Sequence, residues 1–423
     1  MRELEHRYPN ELVVIGVHSG KYRAERVTAR IIEAAQRLGV PHPIVNDRQF
    51  RVWRAYAVNA WPTLAAIDPS GYVVGMHAGE FTADSLREFL DAQIARADET
   101  GILDRASRSW PVDPPAIEPR TLRYPQKIAI DRSRIAIADS GHDRVLVGEL
   151  DASGLRARIT RVADGVVDDD EATPPFRNPQ GVLFAGDTLY VADAGNHLVR
   201  AVDLTSGTVR TIAGTGRQMR SRADLRAGAL ASPWDLAVSG DILYVAMAGV
   251  HRLWAIDLST GEASPFSGTG REDIVDGRHS EAALAQPMGL ALADDYLYFA
   301  DAETSAIRVA ALEREGEVTT LVGTGLFDFG DRDGAGDAVR LEHAQGVAAH
   351  PDGRVLICDS YNDALKWLDP MTREVTTWLR GFHEPAALAL APGRVYVADT
   401  NAHRIAVVDE ATASIDTLEI TGV

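Results

Sequence analysis

Cysteine is almost missing from this chain: Cys358 is the only one in 423 residues. That excludes an internal disulfide and any zinc site built on cysteine pairs. Lysine is nearly as scarce, since only Lys21, Lys127 and Lys366 stand among 43 basic residues, a bias that reads as genome composition and names no ligand. No run of 18 apolar residues and no charged-then-apolar leader is present, so neither a membrane partner nor secretion is expected and the reading is a reducing, cytoplasmic compartment. Positive charge is outweighed by 61 acidic residues, giving a net charge of −18. Such a surface repels phosphate backbones, and nucleic acid is excluded as a partner.

What remains is an ordinary globular composition, 45% hydrophobic and 25% charged, in a chain too long for one compact core. A repeat supplies the solution. From residue 120 onward, PQKIAIDRSRIAIADSGHDRV is followed by PQGVLFAGDTLYVADAGNHLVR and four further copies, opening at Pro125, Pro179, Pro233, Pro287, Ala344 and Pro385 with spacings of 54, 54, 54, 57 and 41. Within a copy, short apolar runs such as GVLFA, TLYVADA, LVRAVDL and TVRTIAG alternate with Gly, Asp and Asn turns, which is four strands per repeat. Four-stranded units at this period are propeller blades, and six of them predict a closed all-β ring over residues 120–423.

Five second strands end in an aspartate, Asp139, Asp193, Asp301, Asp359 and Asp399, with Met247 in the third copy. Carboxylates gathered near an axis could hold a hard cation. Their place before turn sequences favours instead a structural role, hydrogen-bonding the turn's own backbone. The acidic loops VVDDDEA (166–172) and DFGDRDGAGDA (328–338) raise the same question; Asp331, Asp333 and Asp337 do not keep the EF-hand spacing, so they read as solvated inter-blade loops. No metal and no cofactor is expected. Residues following each opening proline lie on the innermost strand, and Gln126, Lys127, Gln180, Trp234, Asp235, Met288 and Gln345 are the candidates for lining one mouth of the central channel. Lys127 and Asp235 stand where other copies have Gly181, Gly289 and Gly346. The histidines His142, His197, His251 and His403 fall in turns near the surface, away from the axis that a propeller hydrolase or lyase would use.

The stretches ADAGNHLVR (192–200) and ADTNAHRIA (398–406), with the linker SGTGREDIVDGRHSEAALAQPMGLAL (267–292), resemble the NHL-repeat family of propellers. Met247, Ala344 and the short last spacing depart from that pattern.

Residues 1–96 read as α/β: LVVIGVH (12–18) as a buried-type strand, ERVTARIIEAAQRLG (25–39) as a helix stopped by glycine, HPIVND as a strand, FRVWRAYAV as a short helix, TLAAID and YVVGMH as a hairpin, and a last helix capped at Thr82 or Asp84. This order, with NAWPTLAAID at its centre, resembles an incomplete thioredoxin-like domain, and the whole chain resembles proteins joining such a domain to an NHL-repeat propeller. The resemblance implies a cis Trp61–Pro62 bond and a C-x-x-C segment that these residues lack. Residues 97–119, with four prolines, read as a stiff linker.

Three functions follow. The first is a non-catalytic binding protein whose propeller holds a protein or small-molecule ligand. The second is a fragment of a thiol–disulfide oxidoreductase whose C-x-x-C lies before Met1, since exchange needs an attacking thiolate and Cys358 is at a strand end beside Asp359, where burial keeps a thiol unreactive. The third is a metal-dependent propeller hydrolase or lyase.

Overall fold

The computed structural model describes residues 1–79, 81–106, 119–164 and 175–423. The chain divides into two compact units, Met1–Pro119 and Arg120–Val423.

The second unit is a six-bladed β-propeller. Its innermost strands are Pro125–Asp131, Pro179–Ala185, Pro233–Ser239, Pro287–Ala293, Gly346–Ala349 and Pro385–Ala391. The second strands, such as Arg134–Asp139 and Thr188–Asp193, are buried over nearly their whole length. They read as continuous apolar runs because each sheet is covered on both faces by its neighbours. Between the last blade and the first, Ile128, Ile135 and Ile137 pack against Ala398, Ile405 and Val407. The final strand, Glu419–Thr421, lies parallel to Arg156–Arg158 at the outside of the first blade. Ring closure thus joins the two ends of the repeat array and covers a strand edge. Among the described residues two linkers add a short fifth strand each, Gly277–Arg278 on blade 4 and Gly334–Ala335 on blade 5.

The first unit contains α1 (Arg2–Arg7), β1 (Gly16–His18), α2 (Thr28–Leu38), β2 (Ile44–Asn46), α3 (Arg51–Ala55), β3 (Thr63–Ile67), β4 (Val73–Ala78) and α4 (Ala83–Glu99). Helix α2 ends where Gly39 turns left-handed at φ 59°, and Thr82 caps α4 by accepting from Ser85 N–H. Helix α4 runs three residues past position 96. Pro111, Pro114 and Pro115 lie outside the described residues, as do residues 166–172.

One expectation for this unit fails. Residues 12–18 are not a buried strand: only Gly16–His18 pairs, and Val13, Ile15 and Val17 are 48%, 52% and 44% exposed. The cause is the sheet itself. Strands β1 and β2 form a parallel pair, β3 and β4 an antiparallel pair, and among the described residues no strand pairing joins the two. Among the described residues β1 has a strand neighbour on one side only, and Val17 on it stays exposed. Among the described residues of this unit the buried apolar side chains are few, with Leu4, Tyr8, Tyr22 and Ile31 the large ones.

Candidate functional site

At the axial mouth of the propeller the innermost strands approach so closely that only glycine fits at several positions. A Cβ on Gly181 would come within 2.7 Å of the Trp234 carbonyl oxygen, and one on Gly289 within 2.4 Å of that of Gln345. Lys127 and Asp235 carry side chains at the equivalent places, and those side chains fill the centre. The Lys127 ammonium donates to Asp235 Oδ2 at 2.5 Å, both groups being largely buried. Asp235 Oδ2 also accepts from Leu290 N–H at 2.8 Å, and Oδ1 from Leu236 N–H. Blades 1, 3 and 4 are therefore tied across the axis.

Of the residues expected at the mouth, Gln126, Lys127, Gln180, Trp234, Asp235 and Gln345 do converge; Met288 is not among them. The cavity that they surround measures about 10 Å³, room for a single water at most. Gln180 uses its amide nitrogen on Asn178 Oδ1 and leaves Oε1 without a protein partner. The mouth is a plug rather than an open pocket.

The blade aspartates are completely buried, and their partners differ from expectation. Each accepts a backbone N–H from the segment that leads into its own blade: Arg123 to Asp139, Arg177 to Asp193, Ala285 to Asp301, Glu342 to Asp359 and His383 to Asp399, at 2.6–2.8 Å. The turn's own backbone, the expected donor, is not the one used. The second oxygen takes a cation from the third strand, Arg144, Arg200, Arg308, Lys366 or Arg404. In blade 3 the sulfur of Met247 receives the equivalent N–H, from Ala231 at 3.4 Å. These carboxylates bind the chain to itself. Burial nevertheless pushes Asp193, Asp301 and Asp399 up from the usual carboxylate range, and Asp359 up to about 6.

The loop at 328–338 is also bonded rather than merely solvated. Lys366 donates to Asp331 and Asp333, Arg380 to Asp331, and Thr377 to Asp333. Among the described residues no group of three His, Cys, Asp or Glu is arranged to hold a metal ion. Burial pushes the Cys358 thiol well up. No described helix is long and apolar enough to cross a membrane.

Comparison with known proteins places this geometry. NHL repeat-containing protein 2 from Gallus gallus is 35% identical over 478 residues, an alignment that takes in 99% of this chain and 65% of the relative. The chain is a homologue of NHL repeat-containing protein 2. It spans 65% of the length of that relative. Protein SUPPRESSOR OF QUENCHING 1, chloroplastic, from Arabidopsis thaliana is 34% identical over 459 residues, 99% of this chain and 44% of that protein. Thiol-disulfide oxidoreductase ResA from Geobacillus thermodenitrificans is 33% identical over 94 residues, 21% of this chain and 54% of that protein. A family model described as outer membrane protein assembly factor BamB matches residues 166–319.

The NHL repeats carry a second device that the sequence reading missed. Four residues beyond each Asp or Met, a left-handed residue at φ 51–56° turns its side chain to the next blade. Asp143, His197, His251, Ser305, Asp363 and His403 accept the N–H of Asn178, Ser232, Gln286, His343, Glu384 and Tyr124. All six are acceptors, and that shared property at one aligned position was the available signal. Three of the four histidines read as surface residues thus sit in blade seams; His142 instead bonds Asp139.

A pH dependence follows. His403 accepts at Nδ1 and must be neutral; burial, then Arg120 and Arg123, push it down to about 4. Unfolded, it titrates near 6.5. The unfolded state therefore takes the proton first, and the contribution of His403, complete above pH 6.5, is lost as pH falls to 4, by about 3 kcal/mol. His403→Asp supplies the acceptor that blades 1 and 5 use. Denaturant melts at pH 7 and 4.5 should show the variant close to the parent at pH 7 and less weakened at pH 4.5. Equal acid sensitivity of the two proteins would refute this assignment.

In the first unit the Trp61–Pro62 bond is cis. The Trp61 indole donates to the Ser19 carbonyl at 2.8 Å and packs on Trp53, ring centroids 4.4 Å apart.

Proposed function

We propose that this chain is a non-catalytic binding protein: its NHL propeller serves as an interaction platform, and its first unit is a thioredoxin-like one that lacks redox cysteines. The observation that carries the reading is the closed axial mouth. Where a propeller enzyme would admit a small substrate, the Lys127–Asp235 pair leaves a cavity of about 10 Å³, so a partner would be met on the outer surface and would be a protein rather than a small molecule. The five buried aspartates favour the same view, each being committed to a backbone donor and a cation of its own blade. The thioredoxin-like part of the proposal draws on the order of elements around the cis proline and on the short ResA match. An insulin-reduction assay on the full chain tests it: no acceleration over dithiothreitol alone is expected, and clear acceleration would sink the non-catalytic reading.

A second reading, a piece of a longer thiol–disulfide oxidoreductase, has one observation in its favour. Strands β1 and β3 belong to separate two-stranded sheets with exposed Ile15, Val17 and Ile67, a surface that a strand set between them would cover. The genomic sequence upstream of the Met1 codon decides it: an in-frame strand with C-x-x-C supports this reading, and an immediate stop codon ends it.

A further inference from the structure

The quasi-equivalent linkers between blades make an internal comparison possible. In the linker 268–286, Asp276 accepts from Arg308, from Thr320 N–H and from the Thr320 hydroxyl, locking the outer strand of blade 4. In the linker 323–344, Asp333 does the same for blade 5 through Lys366 and Thr377. Both linkers are acidic, with net charges of −2 and −3. The linker 214–232 leads into blade 3, opens with the same Gly-Thr-Gly, and departs. It has no Asp-Gly step, adds no fifth strand, and carries Arg217, Arg220, Arg222 and Arg226 against Asp224, a net charge of +3.

The structural duty of the linker has gone, yet the loop is held firmly. Met219 is buried, its N–H donates to the Leu230 carbonyl at 2.8 Å, and Leu225 packs on the same core. Ser221 caps the one-turn helix Arg222–Arg226. All four arginines are exposed. Asp224 is occupied by Ser221 and the Arg220 backbone and feels the charge of Arg217, and no ion pair forms at Arg222 or Arg226 among the described residues. Burial, then the charges of Arg220 and of Arg177 before blade 2, push the His197 imidazole down, so Arg177 adds to the positive charge felt near the loop. On a chain of net charge −18, this is a local inversion of sign.

We propose that the 214–228 loop is a docking surface for an acidic polypeptide segment, several carboxylates long. This rests on the platform reading and names its surface and the chemistry of its partner. Guanidinium forks suit carboxylates in pairs. A long polyanion is disfavoured because the chain as a whole is strongly acidic, with a net charge of −18, and repels whatever extends beyond the loop.

The test uses the full chain and a fluorescein-labelled octaglutamate peptide, read by anisotropy at 50 and 300 mM salt. The parent should bind saturably and more weakly at high salt. The variant R217E/R220E/R222E/R226E, with parent-like circular dichroism, should bind at least tenfold more weakly. The control R271E/R278E, in the linker before blade 4, should stay within twofold of the parent. Peptide binding that survives the loop reversal overturns the assignment of this surface and leaves the platform reading standing. A parent that ignores the peptide but binds single-stranded RNA of equal length, or phosphatidylserine vesicles, overturns the partner class.

Discussion

Arg308→Met should destabilise the propeller by about 3–5 kcal/mol, the cost of leaving a buried carboxylate without its counterion. Arg308 is fully buried in blade 4 and donates to Asp301, to Asp276 and to the carbonyls of Ala283 and Val275. Methionine fills much of the volume and replaces none of these bonds. Asp301 would keep only the N–H of Ala285. Its carboxyl is already pushed up by burial, with Arg308 the main restraint. Without that restraint it rises further above its unfolded value. A carboxyl raised on folding stabilises at low pH and loses that contribution as pH rises through its folded pKa. The penalty measured by denaturant unfolding should therefore be larger at pH 8 than at pH 5. A loss under 1 kcal/mol, or one that grows on acidification, would contradict the ion-pair account.

Met247→Asp should be far milder than a buried charge normally is, within about 2 kcal/mol of the parent, and should become severe only when Arg252 is removed as well. The pattern of the blades leads to this. In blades 1 and 6 the cation stands five residues after the aspartate, Arg144 and Arg404, each donating through Nε at 2.8 Å. Arg252 stands five residues after Met247 and directly opposite it across the strand pair. Its Nε is buried with no hydrogen-bond partner, and burial pulls its pKa down. An aspartate would find Ala231 N–H and Arg252 Nε both in place, as Asp139 and Asp399 do. In the double variant M247D/R252L the carboxylate has only the N–H, and the loss should reach about 3–5 kcal/mol. The coupling in the double-mutant cycle is the decisive number. Additive effects would show that Arg252 cannot reach the site.

How much of this was legible beforehand follows from what a linear pattern can carry. The blades were readable because each repeat writes the same turn chemistry at the same interval, and Gly-Asp-Asn turns between apolar runs depend on local backbone sterics alone. The aspartate positions were equally visible, but their donors were not. The N–H that Asp139 uses belongs to Arg123, 16 residues earlier, and such a partner is assigned only when the second strand returns beside the segment that opened the blade. The seam acceptors lay in plain view at one aligned position, unrecognised because aspartate, histidine and serine share an acceptor rather than a shape.

The sequence by itself determined a six-fold β array, its strand order within each blade and the acidic character of the whole, since periodicity and composition are local quantities. Tertiary structure alone decided that Lys127 of blade 1 meets Asp235 of blade 3, that the channel mouth is thereby shut, that the last three-residue strand closes the ring, and that the two sheets of the first unit stay apart. Each of these depends on which distant backbone arrives at a given edge or axis, and that arrival is set by closure of the ring and by strand pairing over separations that no local propensity encodes.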